Sequence, residues 1–352
     1  MPRLRVGLVG AGFIGVAHAN AIETIISEQL VAADFVSICD TDAERACGIA
    51  ESFGAKEHCG DAIELINSGK IDTVFICTPT KSHPELVAAA AKRGLNIFCE
   101  KPLARTLSEA REMRLTVERA GVRNQVGLVL RFSPVYNVIR QLLSDPSLGR
   151  PMAVIFRDDQ YFPIQGIYGS TWRGDVDVSG GGALIEHSIH DVDILRWLFG
   201  EIAGVQSKIK NFAGHRDVED MVAAQFDFER GCVGQLASVW HNVLRRESNR
   251  YMEIFCENGY ISSADDFIGP VTYQKADEDA CVIPAEQVLQ RYLAAAGLQD
   301  AKYGSLHSMQ GLQDYHFLHA LEKGIAPAPD FSVAVKAHEI VETIYSSDPG
   351  KK

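Results

Sequence analysis

A glycine-rich turn near the start of the chain constrains the fold more than any other feature. Gly10-Ala11-Gly12-Phe13-Ile14-Gly15 directly follows the short apolar run 4–9 and precedes a helical pattern that begins at Val16. Between a strand and a helix, the first glycine permits a tight turn, the second lets the backbone approach a pyrophosphate, and the third lets helix and strand pack closely. The helix N-terminus offers N–H groups to phosphates. The residues predicted to contact a dinucleotide here are Gly10, Gly12, Phe13, Ile14 and Gly15.

Strand-like and helical stretches then alternate through the first 130 residues. The run 71–77 is nearly continuously apolar, which is typical of a parallel strand covered on both faces. The predicted strands are 4–9, 35–39, 71–77, 96–99 and 126–130, with later helices at 61–68, 83–93 and 107–120. This alternation predicts an α/β fold whose N-terminal domain, residues 1–130, is a Rossmann unit with a doubly wound parallel sheet. Ligands bind at the carboxyl ends of such strands. Four candidate residues fall at these ends: Gly10, Asp40, Thr78 and Lys101.

The residue after the second strand bears on which dinucleotide binds. Asp40 follows the run 35–39, and a carboxylate there accepts hydrogen bonds from the ribose hydroxyls of NAD and repels the 2′-phosphate of NADP. A solvated turn aspartate in Asp40-Thr41-Asp42 is the alternative interpretation. Arg45 is close enough in sequence to accommodate a phosphate. We therefore expect NAD as the cofactor, with NADP less favoured.

The pattern changes after residue 130. Longer strand-like stretches begin at residue 151, and Asn258-Gly259 is a strong signal for a β-hairpin. We expect a C-terminal α+β domain over residues 131–352 with an open, largely antiparallel sheet. The predicted helices of this domain are 134–143, one that follows the triple glycine at 180–182 and ends at Gly200, 308–323 and 333–346. Residues 264–307 carry no pattern that assigns them.

Charge and composition exclude several classes of protein. The formal net charge of −12 disfavours a nucleic-acid partner, which would require a basic face. No apolar run approaches the roughly 20 residues that span a bilayer, and no signal-peptide pattern is present, so we expect no membrane partner. The eight cysteines are scattered without a Cys-x-x-Cys pair, which indicates reduced thiols in a cytoplasmic protein rather than a zinc site.

Three side chains form the candidate catalytic set: Lys101, His190 and Glu186. Lys101 lies in Glu100-Lys101-Pro102, where the proline favours an extended backbone. Glu186 and His190 are four residues apart on a predicted helix, so they face the same way. His190 suits a general base because histidine titrates near pH ~6.5. Lys101 would hydrogen-bond the reacting oxygen, and Glu186 would orient the imidazole or bind a sugar hydroxyl.

Each of these residues also has an ordinary structural interpretation. A lysine after a strand is commonly a solvated surface charge, and a lone histidine can be a core residue. The cluster of Glu186, His187, His190, Asp191 and Asp193 could suggest a metal, but the directions of the two histidine rings diverge and nothing elsewhere completes a coordination shell. We therefore expect no metal site. Tyr161 and His241 are weaker candidates for substrate contact.

Several motifs in this order give the chain a resemblance to the glucose–fructose oxidoreductase and inositol dehydrogenase (Gfo/Idh/MocA) family. They are Gly10–Gly15, Thr78-Pro79 with His83, Glu100-Lys101-Pro102, Arg131-Phe132-Ser133-Pro134, Trp172-Arg173, the triple glycine, and Glu186-x-x-x-His190. The resemblance implies an NAD(P)-dependent dehydrogenase of sugars or cyclitols, and a homodimer or homotetramer built on the open sheet. It extends cofactor contact to Asp40, Thr78, Pro79, His83, Glu100, Lys101 and Arg131. It assigns substrate contact to Lys101, Tyr161, Trp172, Arg173, Glu186 and His190, and implies a cis bond between Lys101 and Pro102.

One departure from the family pattern concerns the substrate. The family's usual Asp-x-Gly-x-His is Glu186-His187-Ser188-Ile189-His190 in this chain. Glutamate keeps the carboxylate but reaches one methylene further, and Ser188 adds a side chain where glycine is usual. The leading hypothesis is an NAD-dependent dehydrogenase that oxidises a secondary alcohol of a sugar, sugar derivative or cyclitol. The alternatives are an NAD-using glycosidase that oxidises C3 transiently and eliminates, an NADP-dependent keto-sugar reductase, and a non-enzymatic NAD sensor.

Overall fold

The computed structural model describes residues 3–299 and 305–351 and separates into two compact units. The first unit comprises Met1–Val129 and Ala301–Lys336, and the second comprises Leu130–Asp300 and Ala337–Lys352. This division differs from the predicted boundaries 1–130 and 131–352, because a late segment returns to the first unit. The physical reason is apolar burial, since Phe331, Ala334 and Val335 belong to the same apolar cluster as the first unit's strands.

The first unit is built on a six-stranded parallel sheet. Its strands are β1 (Leu4–Val9), β2 (Ala33–Cys39), β3 (Glu57–Cys59), β4 (Thr73–Ile76), β5 (Asn96–Cys99) and β6 (Asn124–Val126). Its first five helices are α1 (Phe13–Ser27), α2 (Ala43–Phe53), α3 (Ala62–Asn67), α4 (His83–Lys92) and α5 (Leu107–Ala120). The strand order β3-β2-β1-β4-β5-β6, with every pair parallel, is the doubly wound arrangement predicted for the N-terminal part of the chain.

The last strand of this sheet is shorter than predicted. The strand expected at 126–130 is wrong beyond Val126, because the chain closes a 3₁₀ turn over Val129–Phe132. The N–H of Ser133 donates to the carbonyl of Leu130 at 3.1 Å and completes that turn. The N–H of Val126 donates to the carbonyl of Pro329 at 2.9 Å, so the returning segment binds the end of β6.

The second unit contains an eight-stranded mixed sheet. Its strands are β7 (Pro151–Tyr161), β8 (Ile202–Lys210), β9 (Met221–Phe228), β10 (Val233–His241), β11 (Asn249–Cys256), β12 (Gly259–Ser263), β13 (Val271–Lys275) and β14 (Cys281–Ile283). The order is β14-β13-β12-β11-β7-β10-β9-β8, and only the β10–β7 pair is parallel. A hairpin joins β11 to β12 as predicted, with Glu257 and Asn258 in its turn and Gly259 already in β12. The last two strands lie in the stretch that the sequence left unassigned.

Six further helices lie within the described ranges 3–299 and 305–351. They are α6 (Pro134–Leu143), α7 (Val176–Ser179), α8 (Ile189–Phe199), α9 (Ala285–Ala295), α10 (Met309–Lys323) and α11 (Phe331–Ser347). α10 belongs to the first unit and packs against α1, so the fold of that unit depends on residues far apart in the sequence. No helix within the described ranges is long and apolar enough to cross a membrane.

Candidate active site

The glycine turn has the geometry of a phosphate cradle. Gly10 has a φ of +98°, and a Cβ there would lie 2.6 Å from the carbonyl oxygen of Cys77. A Cβ on Gly15 would lie 1.8 Å from the carbonyl oxygen of Gly10, so the turn and α1 pack backbone to backbone. A Cβ on Gly12 would meet nothing within 4 Å, and no side chain caps α1. The space beside Gly12 and the uncapped N–H groups therefore fit a pyrophosphate.

Asp40 is fixed at the end of β2 beside this turn. Its Oδ2 accepts a hydrogen bond from the N–H of Ala11 at 2.7 Å, and its Oδ1 accepts one from the N–H of Asp42 at 2.9 Å. The guanidinium of Arg45 lies 3.6 Å from Oδ1. A carboxylate held by two backbone donors next to the phosphate cradle fits the ribose of a dinucleotide.

Thr78, Pro79 and His83 follow β4 on the same edge of the sheet. Thr78 Oγ1 is buried and makes no hydrogen bond within the described part of the chain. This hydroxyl could therefore form a hydrogen bond with a polar group of a bound ligand. His83 begins α4 and is buried, with Nε2 3.0 Å from the carbonyl oxygen of Thr78 and Nδ1 3.1 Å from that of Pro102. The ring of His83 therefore connects the end of β4 to the segment after β5, and its contact with the cofactor stays a prediction.

Lys101 follows β5, and the residue before it, Glu100, is held in place by hydrogen bonds. Its N–H donates to Glu100 Oε2 at 3.0 Å, and the Lys101–Pro102 bond is cis, as the resemblance implies. Glu100 is itself buried, and its Oε1 lies 3.0 Å from His18 Nε2. The predicted cofactor residue Glu100 thus has both oxygens engaged within the protein, and the Glu100-Lys101-Pro102 segment has a defined shape.

The helix that carries Glu186 and His190 in the second unit is not the regular α-helix predicted after the triple glycine. A π-helical turn covers Leu184–Ser188, and α8 begins only at Ile189. Glu186 therefore lies in the π turn and His190 in the first α turn, and the prediction that the two side chains face the same way stays a prediction. The cause is long-range packing, since Glu219 accepts hydrogen bonds from the N–H groups of Gly182 and Leu184, both at 2.9 Å.

Glu186 is paired with an arginine. Arg173 Nε donates to Glu186 Oε2 at 3.1 Å, and the glutamate side chain is fully buried. The Arg173 guanidinium also lies 4.8 Å from the ring centroid of Trp172. Three of the predicted substrate residues, Trp172, Arg173 and Glu186, are thus brought together in the second unit.

His190 lies next to a buried cluster of charges. Arg250 Nε donates to Asp191 Oδ1 at 2.7 Å, and its Nη2 lies 3.5 Å from Asp158 Oδ2. His187 Nε2 is 2.9 Å from Asp158 Oδ2, so the imidazole of His187 belongs to this cluster. Burial, together with the charge of Asp158, raises the pKa of Asp191 to about 7 against the opposing effect of Arg250.

The remaining candidates have roles within the second unit. Arg131 donates from Nε and Nη2 to the two oxygens of Asp193 at 2.7 and 2.8 Å, a bidentate buried pair. Tyr161 is buried at the end of β7, and its hydroxyl oxygen accepts a hydrogen bond from the N–H of Ile167 at 3.2 Å. The contact of Arg131 with a cofactor and of Tyr161 with a substrate stay predictions.

Sequence reasoning missed four buried residues that shape these sites: His18, Glu219, Arg250 and Asp314. His18 follows the glycine turn by three residues on α1, and Asp314 lies on α10. Their position on helical faces is visible in the sequence, but their partners are up to 296 residues away. A polar residue at a position that helical periodicity assigns to the core is the signal that could have marked His18 and Asp314, whereas Glu219 precedes β9 and Arg250 lies on β11.

The fold and these residues define a class: two-unit oxidoreductases with a Rossmann dinucleotide-binding unit and a second unit on an open mixed sheet. This chain belongs to the Gfo/Idh/MocA family. Residues 4–128 match its oxidoreductase domain with an NAD-binding Rossmann fold, and residues 136–262 match its C-terminal domain. The protein is therefore an NAD(P)-dependent oxidoreductase of CH–OH groups, and its N-terminal unit is NAD-binding.

Curated relatives agree with this assignment, and a solved structure shares the fold. The 1,5-anhydro-D-fructose reductase of Ensifer adhaerens is 31% identical over 236 residues, which cover 66% of this chain and 68% of that protein. The scyllo-inositol 2-dehydrogenase (NAD(+)) of Bacillus subtilis is 31% identical over 241 residues, 66% of each chain. A levoglucosan dehydrogenase in complex with NADH and levoglucosan has a TM-score of 0.86 and 23% identity, and the match covers 99% of this chain and 98% of that one.

Proposed function

We propose that the protein is an NAD-dependent dehydrogenase that oxidises a secondary alcohol of a sugar, sugar derivative or cyclitol in a reversible reaction. The observation that carries the proposal is the fixed Glu100-Lys101-Pro102 segment on the sheet edge that also holds the phosphate cradle. A lysine held there can hydrogen-bond an oxygen beside the cofactor. The names of the relatives, which include a sugar reductase and an inositol dehydrogenase, support a polyol substrate.

The acid–base roles go to Lys101 and His190. Bound NAD supplies the hydride acceptor at its nicotinamide. We assign to His190 the role of the base that takes the hydroxyl proton, and to Lys101 the role of a hydrogen-bond donor that stabilises negative charge on the reacting oxygen. The Arg173–Glu186 pair and Trp172 contact the substrate's other hydroxyl groups. Because Glu186 is bound to Arg173, we assign these two residues to substrate orientation as one unit.

We propose a different task for each of the two units. The first unit, through Gly10–Gly15, Asp40, Thr78 and Pro79, binds the dinucleotide, and the second unit binds the substrate. Asp40 supports NAD over NADP, because a 2′-phosphate would approach a carboxylate that two backbone N–H groups already hold in place. Arg45 lies beside it, but its guanidinium also pairs with Asp42 at 3.0 Å.

A substrate screen tests the proposal directly. Polyols, cyclitols and anhydrosugars are each incubated with NAD or NADP, and formation of reduced nicotinamide is followed by absorbance. We expect turnover with at least one polyol and a preference for NAD. Lys101→Ala should lose several orders of magnitude in kcat while NADH binding, measured by fluorescence, is retained. Lys92→Ala, an exposed lysine at the end of α4, is the matched control and should behave as the wild type.

The same screen separates the alternative functions. The relative named as a 1,5-anhydro-D-fructose reductase favours a test of keto-sugars with NADH and NADPH, since a reductase would consume the reduced cofactor. Glycoside cleavage without net NADH would favour the glycosidase mechanism. Inertness toward all polyols, keto-sugars and glycosides, with NADH still bound, would contradict an enzymatic role for Lys101.

We also propose a homodimer or homotetramer formed through the second unit's open sheet, and a cytoplasmic location. Ile155, Val233 and Phe255 lie on one face of that sheet with 41%, 37% and 39% of their surface exposed. Apolar residues on a sheet face favour burial against another surface. All eight cysteines are free thiols, which suits a reducing compartment. Light scattering of the purified protein measures the oligomeric state, and a monomer at micromolar concentration would contradict the first proposal.

A further inference from the structure

A buried histidine connects two carboxylates behind the lysine. His18 on α1 is fully buried, with Nδ1 2.7 Å from Asp314 Oδ2 and Nε2 3.0 Å from Glu100 Oε1. Asp314 comes from α10, and Glu100 directly follows β5. An ionised carboxylate only accepts hydrogen bonds, so a ring bound to two of them must donate from both nitrogens. His18 is therefore an imidazolium when both partners are ionised.

The charges of Asp314 and Glu100 favour the protonated form of His18. Burial by itself lowers the pKa of His18, but the charges and hydrogen bonds of Asp314 and Glu100 raise it to about 10. Burial opposes ionisation of Glu100, yet His18 and then Lys101 hold the pKa of Glu100 below its ordinary value. Burial raises the pKa of Asp314 to about 6, with His18 acting in the opposite direction. Two further titratable groups near Glu100 are thiols with strongly raised pKa values, Cys77 and Cys99.

The surroundings leave this group little freedom to rearrange. Rings of Phe75 and Phe98 lie with centroids 5.8 and 5.1 Å from that of His18. A Cβ on Gly127 would lie 2.6 Å from Glu100 Oε1, so the backbone after β6 presses against the carboxylate. Glu100 then has one oxygen bound to His18 and the other bound to the N–H of Lys101. His18 therefore fixes the position of the Glu100 carboxylate, and Glu100 in turn fixes the backbone of Lys101.

We propose that His18 is a positioning residue for Lys101, acting as a buried cation that fixes Glu100 between α1 and the Glu100-Lys101-Pro102 segment. This inference rests on the proposed role of Lys101 in hydride-transfer chemistry. His18 touches neither substrate nor cofactor in this role. Asp314 supplies the second negative charge that keeps His18 protonated, but it has no direct link to Lys101.

The test compares His18→Asn with Asp314→Asn as the matched control. His18→Asn removes the link to Glu100, whereas Asp314→Asn keeps the His18–Glu100 contact and removes only the outer carboxylate. A misplacement of about 1 Å in a reacting group costs about 100-fold in rate. We expect His18→Asn to lower kcat by that order with the Kd for NADH unchanged, and Asp314→Asn to stay within a few fold of the wild type. Equal losses in both variants would overturn the proposal in favour of a general packing role.

A second readout does not depend on catalysis. Lysines are dimethylated with ¹³C-formaldehyde, which keeps their charge, and the Lys101 signal is assigned by its absence in Lys101→Arg. His18→Asn should move this signal and Asp314→Asn should not. If the wild type is inactive toward every substrate, the proposed function fails, but this signal still decides the position of Lys101. An unmoved signal in a folded His18→Asn would overturn the positioning role.

A third variant covers the case in which His18→Asn does not fold. Gly127→Ala places a methyl group against the Glu100 carboxylate without altering His18. Glu100 must then shift, and we expect a reduced kcat and a moved Lys101 signal with NADH binding retained. Wild-type kcat and an unmoved signal in folded Gly127→Ala would contradict the transfer of position through Glu100.

Discussion

Two glycines of the same turn should respond in opposite ways to one added methyl group. Gly12→Ala places a Cβ where nothing lies within 4 Å, on a backbone with φ −75° and ψ −168° that any residue adopts. Gly15→Ala places a Cβ 1.8 Å from the carbonyl oxygen of Gly10 and 2.9 Å from its carbon. Those atoms are backbone and cannot rotate away. The first change should therefore spare the fold and impair the cofactor site, and the second should damage the fold.

The magnitudes follow from these distances. Overpacking of a filled site costs about 1–3 kcal/mol, and a contact this short with backbone places Gly15→Ala at the upper end of that range. Gly12→Ala should change the free energy of unfolding by less than about 0.5 kcal/mol, as for a surface substitution. Its methyl group occupies the space that a pyrophosphate must approach, so we expect the Kd for NADH to rise about tenfold, which corresponds to ~1.4 kcal/mol.

Urea unfolding and NADH fluorescence titration measure the two effects separately. Gly48→Ala is the matched control, since Gly48 lies exposed on α2 and a Cβ there also meets nothing within 4 Å. It should bind NADH as the wild type and gain stability, because alanine is the better helix former. Wild-type NADH affinity in a folded Gly12→Ala would refute the assignment of the cradle to the pyrophosphate. Wild-type stability in Gly15→Ala would refute the packing argument.

Three further predictions concern charge, packing and cofactor choice. Because the pKa of His18 is raised from 6.5 to about 10, its stabilisation is complete below pH 6.5 and is lost as pH rises through about 10. Urea unfolding at stepped pH should show this fall, and Asp314→Asn should move it to lower pH; a flat wild-type profile would contradict a charged His18. Gly182→Ala places a Cβ 1.8 Å from the Glu219 carbonyl oxygen and should cost about 1–3 kcal/mol in urea unfolding, whereas unchanged stability would contradict that packing. Asp40→Ser should raise the NADP-to-NAD ratio of kcat/KM about tenfold, and an unchanged ratio would argue against ribose recognition by Asp40.

Local patterns were sufficient for the first unit's sheet and for the central hairpin of the second. β4 is buried at all four positions, and its continuous apolar run is what a doubly covered parallel strand requires. The glycine turn identified β1 and α1 because the conformation and close packing of that turn depend only on neighbouring backbone atoms. Asn258-Gly259 marked the β11–β12 hairpin, although the turn itself comprises Glu257 and Asn258 and Gly259 already belongs to β12.

Elements that depend on distant contacts could not be predicted in this way. β14 has three residues, two of them exposed, so it carries little apolar signal. The π turn at Leu184–Ser188 depends on Glu219, which lies 35 residues beyond Leu184 in the sequence. The periodicity of the residues around Leu184 cannot predict a contact with a residue so far away in the sequence.

The candidate site shows the same division. The sequence identified Lys101, Glu186 and His190 by residue type and position, but it left their partners unknown. The Arg131–Asp193 pair spans 62 residues and the His18–Asp314 pair spans 296. Pairings of this kind are set by the tertiary fold, so the charge state of a candidate residue becomes visible only with the structure.

The return of Ala301–Lys336 to the first unit has a consequence for biosynthesis. As the chain leaves the ribosome, β1 to β6 emerge long before α10, which supplies the Asp314 partner of His18. Until then the glycine turn and Asp40 belong to an incomplete fold, with apolar surface that Phe331 and its neighbours later cover. The nascent first unit is thus exposed to chaperones and proteases until α10 and the segment with Phe331 have emerged from the ribosome.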